Sequence, residues 1–302
     1  MNDRIYMLPG GRAGVRNRRQ WLRAAVWGAW LFGPMYLAVM AASRYGSRSL
    51  AQRAIRTWAE QTIRALRITL EIRGLERVDP AVSYVVMPLH ESLVDGLVLQ
   101  RLHLPMTWVV RDEFLHWRFV GPFLRTSGQV AVCPEEAAAT YRALLRATKA
   151  TVHRCESIVV FPQGAILGIE AAFQRGAFAA SRAAGAHVLP VVITGTHRVW
   201  EHPYTPLVRF GQHVTVEILD PIAPEDLDGA GVDLEHRMKE AALAHERSSP
   251  RRYDPDRDGW WDGYRFDIDP GFSVIAAKVA AHRSEVRGEP PFQRSMRGSS
   301  RP

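Results

Sequence analysis

Cysteine is almost missing from this chain: of 302 residues only Cys133 and Cys155 carry thiols. Two cysteines exclude a disulfide scaffold, and neither stands in a C-x-x-C or zinc-like setting. They read as reduced, incidental thiols of a cytosol-facing body. Lysine is missing from the first 80 residues, where 14 Arg face 5 Asp or Glu for a net of +9. The whole chain carries +8, so residues 81–302 are close to neutral, with 25 basic against 26 acidic side chains. A nucleic-acid binder would carry a basic stripe through its folded domain. This chain has none, nor any zinc-finger or helix-turn-helix spacing, so nucleic acid is excluded as a partner. No G-x-S-x-G elbow surrounds Ser157 or Ser181, which sets serine-hydrolase chemistry aside. There is no internal repeat, and no low-complexity tract before the polar tail from about Arg283. What is present is ample apolar sequence, 47% against 23% charged, which excludes a wholly disordered chain. The length suits one large domain or two small ones.

The arginines crowd around an apolar segment, a pattern that suits anionic lipid head groups. Ala24 to Ser43 is twenty residues without a charge, including Trp27, Trp30, Phe32, Met35, Tyr36 and Leu37. That is the length needed to cross a hydrocarbon core of about 30 Å. Arg12, Arg16, Arg18, Arg19 and Arg23 precede it, and Arg44, Arg48, Arg53 and Arg56 follow. Charge on both sides gives no clean orientation. Gly33-Pro34 in the middle should kink or break the helix. Leu50 to Leu70 then sets Ala51, Ile55, Trp58, Thr62, Ile63 and Leu66 on one face and arginines on the other, the pattern of an interfacial amphipathic helix. A buried core helix and a cleaved signal peptide fit the apolar segment too. The long basic lead-in favours a monotopic or re-entrant anchor that holds the body on the cytoplasmic face of a membrane.

From about residue 68 the texture changes. Ile68–Ile72, Tyr84–Met87, Thr107–Val110, Ser157–Phe161, Val188–Thr194 and Val214–Leu219 read as strands. Leu93–Leu102, Phe114–Leu124, Glu135–His153, Arg175–Ala184 and Leu234–Arg247 read as helices between them. The alternation predicts an α/β domain with a largely parallel sheet flanked by helices, preceded by the N-terminal membrane-binding helical segment. The expected division is an anchor over 1–70, the α/β domain over 71–247, and an aromatic and acidic turn with a C-terminal helix and tail over 248–302.

The sharpest constellation is His90-Glu91-Ser92-Leu93-Val94-Asp95, placed directly after a strand. Five residues apart on one helix, His90 and Asp95 would point about 140° away from each other. They cooperate only if His90 lies in the strand-to-helix turn and Asp95 in the first helical turn. Ser92 with Asp95 three later is a capping-box-like start that puts the helix boundary between them. Asp95 could then accept from one imidazole nitrogen and leave the other to take a proton from a hydroxyl. On spacing alone, a helix-start acid beside a surface turn histidine is the commoner reading of H-x4-D.

The run gains meaning from its neighbours. It resembles the H-x4-D block of the lysophospholipid acyltransferases (PlsC-like glycerolipid acyltransferases), including the serine at Ser92. Phe161-Pro162-Gln163-Gly164, about seventy residues on, is similar to that family's F-P-E-G block. Phe173 to Phe178 resembles its F-x-x-G-A-F run, and Val188 to Ile193 its final V-P-V-V-I block. Arg111-Asp112-Glu113-Phe114, Val120 to Phe123 and Gly128 resemble the second block. The resemblance spans roughly residues 80–195. It implies that His90, oriented by Asp95, is the general base, with Ser92, Arg111, Phe161, Pro162, Gln163, Gly164 and Arg175 binding substrate. It also implies acyl-CoA or acyl-ACP as co-substrate, a lyso-lipid acceptor, acyl carrier protein as one form of the donor, and no bound cofactor or metal.

Two departures bear on the acceptor. The family's third block usually ends F-P-E-G-T-R, its arginine holding the acceptor phosphate; here Gln163 replaces the glutamate and Ile166 the arginine. The second block often ends in a basic residue, and here Pro134 stands there. The loss of both points to an acceptor with a different or absent phosphate, such as a glycolipid. Equally, Arg111, Arg125 or Arg175 could supply the contact from elsewhere, Arg175 being the first to test.

Asp254-Pro255-Asp256-Arg257-Asp258-Gly259 imitates the start of a calcium loop, but the twelfth position is Arg265 rather than a carboxylate. Trp260, Trp261 and Tyr264 beside it fit an ordered turn. His197, His202 and His213 have no ligand spacing tied to a carboxylate or thiol and read as loop or strand histidines. Two other functions compete with transfer. A non-catalytic lipid-binding relative would need neither His90 nor Asp95, and a thioester hydrolase would release free fatty acid without an acceptor.

Overall fold

The structure, a computed structural model, describes residues 18–133, 136–164, 166, 173–200, 208–227 and 230–248. The calcium-like turn, the aromatic cluster after it, the C-terminal helix and His202 lie outside these residues.

The uncharged N-terminal segment forms two helices, α1 (Arg18–Phe32) and α2 (Pro34–Tyr45). The break between them has the expected cause. Pro34 has no N–H to extend α1, so it becomes the first residue of α2, where none is needed. A Cβ on Gly33 would stand 2.4 Å from the Ala29 carbonyl oxygen, so the bend admits no larger residue. Trp21, Leu22, Val26, Trp30, Phe32 and Leu37 are exposed.

α3 (Arg48–Leu66) starts on Ser47, whose hydroxyl accepts from the Leu50 N–H at 3.2 Å. It is amphipathic as expected, but its apolar face rests on protein. Ile63 lies in the core, Ala59 and Ala65 are buried, and Trp58 donates to the Leu31 carbonyl at 3.0 Å. At its start Arg48 grips both oxygens of Glu156 and donates to Thr107 at 2.8 Å. The helix read as an interfacial face is thus bonded to the α/β body.

Seven strands follow: β1 (Thr69–Arg73), β2 (Tyr84–Pro88), β3 (Met106–Arg111), β4 (Val130–Val132), β5 (Ser157–Val159), β6 (His187–Thr194) and β7 (His213–Ile218). They form one sheet in the order β1-β7-β6-β2-β5-β3-β4. From β6 to β4 every pairing is parallel; β7 is antiparallel to β6, and β1 runs with β7. The helices between are α4 (Asp95–Leu99), α5 (Val120–Thr126), α6 (Ala137–His153), α7 (Arg175–Ala184) and α8 (Ala230–Ser248).

Side-chain alternation divides the core. Val85 and Met87 of β2 face Leu144, Ala180, Leu234 and Met238 of α6, α7 and α8. Tyr84 and Val86 point to the other side, with Ile63 of α3 and Val98 and Leu99 of α4. All five residues of β2 are buried, and an unbroken apolar strand is what a parallel sheet covered on both faces requires.

One expectation fails. Phe114–Leu124 is not one helix. A 3-10 turn, Asp112–His116, is followed by α5. Pro122 can stand in the first turn of α5, but inside a helix begun at Phe114 it would strike the carbonyl four residues back. β4 was not anticipated, because a three-residue edge strand is too short to show alternation.

Candidate active site

In a parallel sheet the strand ends and helix starts at the C-terminal edge converge on one crevice. Here β2 delivers His90, β5 delivers Phe161, β6 delivers Thr196 and His197, and β3 ends at Arg111.

β2 stops at Pro88, and the chain turns through His90 to Ser92 before α4 opens on Asp95. Asp95 folds back over the turn: its Oδ2 accepts from the Glu91 N–H at 2.8 Å and the Ser92 N–H at 3.0 Å. This is the backward half of a capping box, as the spacing implied. Ser92 Oγ accepts from the Val94 N–H at 3.2 Å and donates to the Trp200 carbonyl at 2.5 Å. Ser92 is therefore a strut of the turn.

The same Asp95 Oδ2 lies 2.7 Å from His90 Nδ1. An oxygen that already accepts two N–H groups acts as an acceptor here too, so Nδ1 carries the imidazole proton. The lone pair of Nε2 is then available. Asp95 is fully buried, while the His90 side chain keeps 14% exposure. The imidazole is reachable and its orienting carboxylate is not. Phe161 stacks on the imidazole, centroids 3.7 Å apart and planes 18° from parallel, with Trp108 behind it at 6.3 Å. The ring expected to bind substrate lies on the His90 imidazole itself.

The remaining predicted residues separate into two groups. Pro162 and Gln163 are buried, and Gly164 turns the chain at φ +69°. The Pro162 carbonyl accepts from the Gln174 N–H at 2.7 Å, which fixes the start of α7 to this block. Arg175, the first residue of α7, is exposed. Arg111 donates to Glu113 at 3.0 Å, a pair 13% and 0% exposed. Arg125 is turned to the Leu115 carbonyl at 2.5 Å. Ile166, at the position of the family's arginine, is packed in the core with Val85 and Met87.

Glu91, Thr196 and His197 were missed. Thr196 donates to Asp95 Oδ1 and lies 3.3 Å from Glu91 Oε2, which also meets His197 Nδ1 at 2.9 Å. Burial, then the charges of Arg198 and Arg209, hold the His197 imidazole well below its ordinary pKa. It is neutral near pH 7 and donates from Nδ1. His197 and His213 are turn and strand residues, as read; each also meets a carboxylate far away in the chain, His213 Nε2 lying 3.3 Å from Glu71. The available signal for Thr196 and His197 was their place just past β6, on the edge that carries His90. Among the described residues no group of three or more His, Cys, Asp or Glu could hold a metal ion.

Residues 69–194 match the family model described as Acyltransferase. The fold is similar to the crystal structure of the 1-acyl-sn-glycerophosphate (LPA) acyltransferase PlsC from Thermotoga maritima, with a TM-score of 0.57 at 17% identity. That match covers 77% of this chain and all of the other. Among curated proteins none matches the sequence.

Proposed function

Because residues 69–194 of this chain match the Acyltransferase family model, we propose that the protein transfers a fatty acyl group from a thioester, acyl-CoA or acyl-ACP, to a hydroxyl of a lyso-glycerolipid at a membrane surface. The observation that carries the reading is the imidazole of His90, oriented through Nδ1 by a buried Asp95 while its side chain keeps 14% exposure. Nε2 takes the proton of the acceptor hydroxyl as its oxygen attacks the thioester carbonyl. The tetrahedral intermediate collapses by breaking the C–S bond, and the imidazolium returns its proton to the leaving thiolate. The products are an ester and a free thiol, and the base is regenerated without a covalent enzyme intermediate. Holding both substrates at one edge supplies much of the rate, and base catalysis adds about 10²–10⁴-fold.

The exposed apolar side chains of α1 and α2, with the basic residues around them, support attachment to an anionic membrane. Trp21–Tyr45 is long and apolar enough to cross one. A second reading of the acceptor is a lipid without phosphate. It is favoured by Ile166 lying in the core and by Arg111 being engaged with Glu113.

The test is transfer of a labelled acyl group from acyl-CoA by membranes carrying the protein, with lysophosphatidic acid and a polar-lipid extract as separate acceptors. His90→Ala should lower transfer by about a hundredfold or more. Residual activity well above that counts against the general base. Phosphatidic acid as product supports the family's usual acceptor, and label only in a non-phosphate lipid supports the second reading. Label released as free fatty acid without an acceptor would mark a hydrolase.

A further inference from the structure

Asp95 is held on both oxygens, and only Oδ2 faces His90. Its Oδ1 takes the hydroxyl proton of Thr196, 101 residues further along the chain. Thr196 stands on the turn after β6, and that turn is built to a narrow tolerance. Gly195 has φ +93°, and a Cβ there would lie 2.4 Å from the His213 carbonyl oxygen. Behind Thr196, Glu91 Oε2 lies 3.3 Å from the hydroxyl and accepts from His197 Nδ1 at 2.9 Å. Glu91, Asp95, Thr196 and His197 are all fully buried, so losing one of these contacts leaves a polar group away from bulk solvent.

We infer that Thr196 is a positioning residue for the His90–Asp95 pair: its hydroxyl fixes the plane of the Asp95 carboxylate and draws off part of its charge, while Glu91 and His197 hold the turn that carries it. This rests on the general-base reading above. The chemical consequence follows from hydrogen bonding to an anion. Each donor to Asp95 stabilises its charge without help from His90, so the imidazole is less inclined to bind a second proton. The other charged and titratable groups around the relay are Glu91 on its own turn and His197 after β6, whose imidazole feels the charges of Arg198 and Arg209.

The experiment measures initial acyl transfer by the full chain in membranes, at limiting labelled acyl-CoA with a polar-lipid extract as acceptor, across pH. Wild type is compared with Thr196→Val, Thr196→Ala and Thr196→Ser, with His90→Ala as the blank. Losing a hydrogen bond to a buried charge should cost Thr196→Val and Thr196→Ala roughly tenfold to a hundredfold at neutral pH. Their acid limb should move up by about one pH unit, while Thr196→Ser keeps the wild-type limb. A limb that stays in place in both hydroxyl-free variants overturns the inference, because a merely structural role lowers activity without moving it. A Thr196→Ser limb that moves with the other two overturns it as well. If the wild type shows no transfer dependent on His90, the general-base reading fails instead.

Discussion

At the scale of single residues, function depends on which groups are buried and which are reachable. His90 is partly exposed between a buried carboxylate and the face of Phe161. The stack covers one face of the imidazole. His197, one shell away, is buried and neutral. It lies too deep to meet a substrate, and its burial makes it a liability in acid. Its folded pKa lies below the ordinary 6.5, with burial the first cause. Below pH 6.5 the unfolded chain therefore binds a proton that the folded chain refuses, and stability falls as pH drops through that window. The melting temperature of wild type should fall further between pH 7 and pH 5 than that of His197→Gln. Parallel curves for the two proteins would show that His197 does not titrate on unfolding. Ile166 carries a different lesson. It departs from the family's arginine at a position that is 1% exposed. Ile166→Arg would bury an unpaired charge, so it tests folding rather than acceptor choice.

At the scale of elements, breaks matter as much as helices. Gly33-Pro34 divides the apolar segment, and the extended backbone at Trp117 divides what reads as one helix over Phe114–Leu124, leaving Pro122 in the first turn of α5. The second break lets α5 lie against the preceding 3-10 turn so closely that a Cβ on Gly121 would stand 2.1 Å from the Leu115 carbonyl oxygen. Gly121→Ala must push the two apart and should cost about 1–3 kcal/mol, read as a lower urea midpoint. A midpoint equal to wild type would mean the turn moves away freely. The N-terminal cap of α5 also meets the helices α1 and α2, with Tyr36 donating to the Phe119 carbonyl at 2.8 Å and Phe32 and Tyr36 in ring contact with Phe119. The periodicity of α3 was plain in the sequence. Its partner was not, since an apolar helical stripe looks the same whether it faces lipid or a sheet.

At the scale of the whole molecule, α1 and α2 and the α/β body both pack on α3. Cutting the chain at residue 70 would remove Ile63 from the core and break the Arg48–Glu156 pair. The informative truncation removes residues 1–45 and keeps α3. That protein should leave the membrane fraction on sedimentation while keeping the wild-type circular dichroism. Retention on membranes would move the attachment surface into the body. The sequence by itself determined the alternating α/β order, the central buried strand, the break at Gly33-Pro34 and the His90–Asp95 pair, because each depends on residues close in the chain. Periodicity, proline chemistry and turn spacing are local. Only the tertiary structure decided that Phe161 covers the imidazole, that Ile166 is core, and that Thr196 reaches Asp95. Those contacts join residues 71 to 101 positions apart, brought to one edge by parallel strand order, and nothing in the local pattern of either partner records where the other will lie.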